Sequence, residues 1–118
     1  MIEIIRKNAS VEDNRGSLTE FDSTNFSQVN ILISKKNTIR GNHYHKKLNE
    51  FFYVIEGELD LELINLKTKE ILKKRIFKGD YFEITPYINH TLKFLEDSKI
   101  LVGYNHKFNP LNPDIFVL

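Results

Sequence analysis

The strongest constraint on the fold is a two-residue alternation of apolar and polar side chains in short segments. Val29, Ile31 and Ile33 fall on one side of segment 28–34, and segment 59–64 repeats the pattern. Successive residues of a strand point to opposite faces, so this period predicts half-buried strands. No stretch of twelve residues holds the 3.6 period of a helix. Gly, Pro, Asn and Asp recur between the segments, which predicts an all-β barrel or sandwich.

The same patterns locate the individual elements. We expect a polar loop at 22–27 and turns at 13–16, 56–58 and 78–80, and Gly57 should supply a positive φ in a hairpin turn. The expected strands are 2–5, 17–21, 28–34, 50–55, 59–64, 70–77, 81–84, 90–94 and 98–104.

Segment 50–55 is apolar on both faces, so both faces should be covered. One face, with Glu50 and Phe52, would line the barrel. The other would pack against a second sheet or a partner subunit, and we therefore predict a twofold-symmetric homodimer. The residues of that outer face are Phe51, Tyr53 and Ile55.

Two histidines and a glutamate stand close together near the middle of the chain. If the strand is extended there, His43 and His45 share a face and lie about 7 Å apart along it. Segment 46–49 can turn, and Glu50 then opens a strand that runs back beside the first. The three groups would converge on one wall with the means to bind a metal or move a proton. His90 is a fourth group of the same kind.

Composition excludes several classes of partner. At 118 residues the chain suits one domain, 1–118, and its 17 Lys and Arg nearly balance its 16 Asp and Glu. This balance indicates no binding to nucleic acid or to an anionic membrane. No apolar run approaches the ~20 residues of a membrane helix, and the start does not resemble a signal peptide. The absence of cysteine excludes disulfides and fits a cytoplasmic location.

Two stretches of the sequence resemble the motifs of the cupin superfamily. The second stretch keeps the spacing between that family's first glycine and its histidine, at Gly79 and His90. The first stretch reads His43-x-His45-x4-Glu50-x6-Gly57.

The chain also departs from these motifs at a few places. Asn37 and Tyr87 stand where glycines are usual, Pro86 is one residue late, and Phe94 replaces a frequent asparagine. The four ligand types are nevertheless kept. The resemblance implies a jelly-roll barrel with a metal held by His43, His45, Glu50 and His90.

A narrower resemblance covers about 11–116 and rests on segments 13–16, 40–46 and 108–114. Together these resemble the cupin domain of bifunctional capsular-polysaccharide enzymes that epimerise a UDP-4-keto-6-deoxy sugar. They are similar, more loosely, to the dTDP-sugar 3,4-ketoisomerases. The resemblance implies an epimerase or isomerase acting α to the 4-keto group of a nucleotide sugar in surface polysaccharide biosynthesis. The reductase domain of the bifunctional enzymes has no counterpart here, so we expect such an epimerase to act alone.

The chemistry shared by both families is proton movement beside a ketone. A divalent transition metal, zinc first and iron, manganese or nickel as alternatives, could polarise the ketone oxygen. Without a metal, His43 or His45 is the expected base.

Other residues are assigned roles by position and chemistry. Tyr104 is the expected acid on the far face of the sugar, with Tyr87 as a second candidate and a substrate contact. Arg40 can grip a nucleotide diphosphate because guanidinium matches phosphate oxygens. Tyr44 and Tyr53 are disfavoured, since their parity points them away from the histidine face.

Two alternatives stay open. The protein could be a non-catalytic sugar- or metal-binding cupin, and the four polar residues could simply satisfy one another in a barrel mouth. Burying several polar groups is costly without partners, which favours a functional site. His106 shows no motif spacing and is expected at the surface.

Overall fold

The structure is a computed structural model that describes residues 4–6, 8–21 and 26–118. The fold is built from short antiparallel strands. The described residues contain no helix. Accordingly, they contain no helix that is long and apolar enough to cross a membrane. The strands are β1 Ile4–Arg6, β2 Val11–Asp13, β3 Gly16–Leu18, β4 Gln28–Ser34, β5 Ile39–His43, β6 Glu50–Glu56, β7 Glu58–Asn65, β8 Ile71–Phe77, β9 Asp80–Ile84, β10 Ile88–Phe94 and β11 Ser98–Tyr104.

Two sheets face each other. One has five strands in the order β1-β9-β6-β11-β4, and the other has four in the order β5-β10-β7-β8. Their inner faces enclose the apolar core, where Val54, Leu59, Ile76 and Phe94 are completely buried. The alternation seen in the sequence is therefore the alternation between the core and the outside, and the all-β expectation is confirmed.

The connection between β6 and β7 is a corner between the two sheets. These strands are consecutive, yet β6 belongs to the five-stranded sheet and β7 to the four-stranded one. The predicted hairpin at 56–58 is therefore wrong, although Gly57 does have a positive φ of 102°. A Cβ at Gly57 would lie 2.0 Å from Ser98 Oγ, so only glycine fits this corner.

The outer face of β6 is covered by the same chain. Phe26 packs edge-on against Phe51 with ring centroids 5.2 Å apart, and Phe21 packs against Tyr53 at 4.9 Å. As a result Phe51 is only 6% exposed. The premise that this face needs a partner subunit is thus incorrect.

The N-terminal predictions are met in part. The expected strand at 2–5 overlaps β1, but residues 2 and 3 lie outside the described residues, as do residues 22–25 of the expected loop. The turn at 13–16 joins β2 to β3 and carries an Asp13–Arg15 ion pair of 2.7 Å. The strand expected at 17–21 is shorter, because β3 ends at Leu18.

Candidate metal and proton-transfer site

His43 and His45 do not lie on one strand. β5 ends at His43, and a backbone bridge between Tyr44 and Phe116 follows it, so His45 lies in the loop that leads to β6. The predicted single strand through both histidines is interrupted because Tyr44 leaves β10 and exchanges its backbone hydrogen bonds with Phe116. The two imidazole rings still meet, with centroids 5.1 Å apart.

Glu50 and His90 complete the cluster from two other strands. Glu50 is the first residue of β6, as predicted, and His90 lies on β10 directly opposite His43. The ligand atoms of the four residues all lie within 4.8 Å of one another. The structure thus brings together the four residues that the sequence predicted.

Each histidine of this cluster has its ring fixed by a backbone group. His45 Nδ1 lies 2.7 Å from the Asp114 carbonyl oxygen, and His90 Nδ1 lies 3.2 Å from the Ile88 carbonyl oxygen. The ring of His43 hydrogen-bonds to the backbone of Gly41. Metal-binding histidines usually donate their second N–H in this way.

The donor set fits a cation. A carbonyl oxygen can only accept, so the Nδ1 of His45 carries a proton and donates it to Asp114. In a neutral ring, Nε2 then has only a lone pair, yet it contacts Glu50 Oε1. Two lone pairs in contact need a positive charge between them, either a proton or a metal ion.

The protonation of the histidines differs within the cluster. Burial lowers the pKa of His90 to about 4, and it also lowers the pKa of His43, with His45 adding to the effect. Burial acts in the same direction on His45, but the hydrogen bond to Glu50 and the charges of Glu50 and Asp114 outweigh it and raise that pKa. His43 and His90 are consequently neutral at neutral pH, as a base or a ligand must be.

A cavity of about 280 Å³ opens onto the cluster. It is lined by the polar residues His43, His45, Glu50 and His90 and by core side chains such as Phe52. The predicted acid Tyr104 and the predicted substrate contact Arg40 also line it.

Tyr104 lies beside Glu50 on the neighbouring strand and hydrogen-bonds to Asn30. Burial and the charge of Glu50 raise the pKa of Tyr104, so the phenol keeps its proton at neutral pH. Arg40 is exposed and held by Ser34 Oγ at 3.1 Å and the Ile33 carbonyl oxygen at 3.3 Å. Both are placed to contact a molecule in the cavity.

Tyr87 does not line the cavity. Its ring stacks on Tyr44 with centroids 6.1 Å apart, under the Lys67 ammonium group. Tyr44 and Tyr53, which parity placed away from the histidine face, do not line the cavity and pack on other aromatic rings. His106 is not part of the metal-type cluster among the described residues.

Residues that sequence reasoning gave no role also support the site. Asn30 orients Tyr104, Gln28 Nε2 in turn contacts Asn30 Oδ1 at 3.3 Å, and Asp114 holds His45. Segment 108–114 entered the sequence argument only as a mark of resemblance. The direct contact of Asp114 with His45 is made by its backbone carbonyl, which leaves no signature in residue type.

Comparison with known proteins decides the family. Residues 11–116 match the sequence profile of the polysaccharide biosynthesis C-terminal domain. The chain belongs to this family. The matched range nearly coincides with the span over which the sequence resembled the capsular-polysaccharide epimerases. The search of curated proteins finds no significant match.

Solved structures share the fold of this family member. WlaRB, a TDP-quinovose 3,4-ketoisomerase from Campylobacter jejuni, is 22% identical with a TM-score of 0.86, covering 99% of this chain and 92% of that one. The dTDP-4-dehydrorhamnose 3,5-epimerase from Sulfolobus tokodaii is 23% identical with a TM-score of 0.79, covering 93% and 73%. These likenesses confirm the cupin jelly-roll fold.

A third structure is more similar in sequence. The capsular polysaccharide assembling protein CapF from Staphylococcus aureus is 30% identical with a TM-score of 0.70. The match covers 95% of this chain but 32% of CapF, so this chain spans about a third of that protein.

Proposed function

We propose that this protein moves a proton α to the 4-keto group of a nucleotide 4-keto-6-deoxy sugar, as an epimerase or a 3,4-ketoisomerase of polysaccharide biosynthesis. The observation that carries the proposal is the meeting of three imidazoles, one carboxylate and a phenol on one cavity. The family match and the activities named for WlaRB and the Sulfolobus epimerase support it.

The reaction needs a base, a stabilised enolate and an acid. Without a metal at the cluster, His43 or His45 removes the proton from the carbon next to the ketone, and the electron pair moves onto the ketone oxygen. If Tyr104 returns a proton to the opposite face of that carbon, the product is an epimer. If the proton goes instead to the former ketone carbon, and the hydroxyl proton of the deprotonated carbon passes to the former ketone oxygen, the product is the 3-keto isomer.

A metal at the cluster would be held by His43, His45, Glu50 and His90. When bound, the divalent ion supplies a Lewis acid for the ketone oxygen. We expect about one ion per chain in protein purified without chelator, zinc first, by elemental analysis. His43→Ala should lose the ion and His106→Ala should keep it. Metal-free protein with full turnover would contradict this assignment and favour the histidine base alone.

Substrate orientation would come from the rim of the cavity. Arg40 is proposed to bind the diphosphate, since its guanidinium group is exposed beside the cavity. Tyr87, which lies outside the lining of the cavity, stays a prediction as a substrate contact.

Deuterium exchange tests the function directly. The protein is incubated in D2O with a panel of UDP- and dTDP-4-keto-6-deoxy sugars, and proton NMR follows wash-in and the product. We expect exchange at one α carbon with at least one sugar. Tyr104→Phe should slow turnover, whereas Tyr53→Phe, whose ring lies outside the cavity, serves as the matched control. No exchange with any sugar would overturn the proposal and favour the binding-module alternative.

Assembly as a homodimer remains a proposal, now with a different surface. Val29, Ile31 and Ile33 project from β4, an edge strand of the five-stranded sheet, and are 52%, 55% and 66% exposed. Exposed apolar edges of this kind are typical of interfaces. Light scattering at micromolar concentration should give twice the chain mass, and Ile33→Glu should give a monomer. A monomer mass for the unmodified protein would contradict the dimer.

We also keep the cytoplasmic location as a prediction, which cell fractionation tests.

A further inference from the structure

The C-terminal segment 108–116 borders the cavity with Phe108, Pro113 and Ile115, and it contacts a residue of the cluster through Asp114. Its carboxylate accepts hydrogen bonds from three consecutive backbone N–H groups, those of Lys46 at 2.9 Å and of Lys47 and Leu48 at 3.0 Å. Its carbonyl oxygen takes the Nδ1 proton of His45 at 2.7 Å. One residue thus binds the whole turn 45–48 from 66 to 69 positions away in the sequence.

The backbone around Asp114 is shaped for this contact. Asp114 has a φ of 52°, a conformation that aspartate and asparagine adopt more readily than most residues. Two residues later, Phe116 exchanges both backbone hydrogen bonds with Tyr44, at 2.9 and 3.0 Å. These bonds fix the carbonyl of Asp114 in front of the His45 ring.

The three histidines differ in how they are held. The ring of His43 hydrogen-bonds to the backbone of Gly41, and the ring of His90 to the backbone of Ile88. Each partner lies two residues earlier on the same strand. Their orientation therefore follows from the strands. His45 lies in a loop, and among the described residues its outer nitrogen has the Asp114 carbonyl as its partner.

We propose that Asp114 is a positioning residue that fixes His45 with its proton on Nδ1 and its Nε2 directed at Glu50 and the cavity. Asp114 lies outside the reacting atoms and acts through the His45 ring. A ring that rotates or changes tautomer would present a C–H or an N–H to the cavity and could neither take a proton nor bind a metal there.

The test uses two variants and a matched control. Asp114→Asn keeps the size and the tolerance for positive φ, but it replaces one of the two acceptor oxygens by an NH2 group that can only donate. Asp114→Gly keeps the backbone freedom and removes the side chain. Asp97→Asn is the control, because the Asp97 carboxylate likewise accepts a distant backbone N–H, that of Lys36 at 2.8 Å, away from the cavity.

The first measurement is the imidazole nitrogen–proton NMR spectrum, with His45 assigned by comparison with His45→Asn. In the unmodified protein, the Nδ1 proton of His45 should be visible and slow to exchange with water. In both Asp114 variants the Nδ1 proton of His45 should lose this protection, while the ring signals of His43 and His90 should stay the same. In the Asp97→Asn variant the Nδ1 proton of His45 should stay protected. Absence of the Nδ1 proton in the unmodified protein would overturn the proposal, even if the variants do not fold. So would its retention in both Asp114 variants.

The second measurement rests on the proposed function. Asp114→Asn should lower kcat for deuterium wash-in by about 10- to 100-fold, the usual range for a residue that orients a functional histidine. KM should change little, and Asp97→Asn should react like the unmodified protein. A melting temperature lowered without loss of kcat would reduce Asp114 to a structural role. If the unmodified protein exchanges no sugar, the proposed function fails while the NMR result still decides the role of Asp114.

Discussion

The two ends of the barrel are equally buried and chemically opposite. On β6 the chain passes from Glu50, 6% exposed, to Val54, 0% exposed, and on β10 it passes from His90 to Phe94. We call the first the site end and the second the core end. A buried polar group is stable only with partners, and the site end provides them through backbone groups. The difference shows that burial alone does not distinguish a core from a site.

The ends also differ in what closes them. The core end is closed by a tight corner at Gly57, where the chain crosses between sheets. The site end is closed by the loop 44–49 and by residues from the end of the described chain. Substitutions at the core end should therefore change stability, and those at the site end should change chemistry.

The largest expected effect is at the site end. His45→Asn keeps a polar side chain but removes the group that can exchange a proton, and loss of a general base typically slows a reaction about 10²–10⁴-fold. We expect that loss in deuterium wash-in at an unchanged melting temperature. His106→Asn, outside the cluster, should match the unmodified protein. If His45→Asn loses stability and activity together, the histidine belongs to the scaffold and the contrast between the ends fails.

At the core end the expected effect is on folding. Phe94 is completely buried between the sheets, and truncation of a core phenylalanine to alanine typically costs about 3–5 kcal/mol of unfolding free energy. Phe94→Ala should show this in urea denaturation, while activity per folded molecule stays close to that of the unmodified protein. Phe77→Ala, at a ring that is 48% exposed, is the control. A loss below ~1 kcal/mol for Phe94→Ala would show that the core end is not close-packed.

Two glycines give the finest comparison. A Cβ at Gly57 would meet Ser98 Oγ at 2.0 Å, and one at Gly41 would meet the His90 carbonyl oxygen at 2.5 Å, both at positive φ. Each alanine variant should lose about 1–3 kcal/mol through overpacking. Gly41→Ala should also slow exchange, because it pushes β5 away from β10 and so separates His43 from His90. Equal activity in the two variants would remove the distinction between the ends.

Much of the barrel could be predicted from local pattern. The alternation identified most strands within a residue or two, because a strand with one buried face must alternate. Glu50 was placed at the first position of β6, whereas β10 begins at Ile88, two residues before the predicted start. Alternation does not indicate which strands pair, and the corner at Gly57 was consequently taken for a hairpin.

The sequence predicted which residues form the candidate site, but it did not predict the contacts that hold them in place. Spacing selected the four residues of the cluster, because their side chains carry the chemistry. It missed that β5 ends at His43 and that Tyr44 pairs with Phe116, since that pairing joins distant parts of the chain. It also missed Phe21 and Phe26, whose packing on β6 joins distant parts of the chain. Contacts over such separations leave no periodic signal in a sequence.

The bridge between Tyr44 and Phe116 has a consequence for the order of events during synthesis. Phe116 and Asp114 follow every strand of the described chain, so a ribosome releases them after both sheets have emerged. The barrel can close while the imidazole of His45 still lacks its carbonyl partner. Strand pairs of the barrel, such as Gln28 with Tyr104, span similar separations, so the order of emergence is what would give a nascent protein its shape first and its complete proton-handling geometry last.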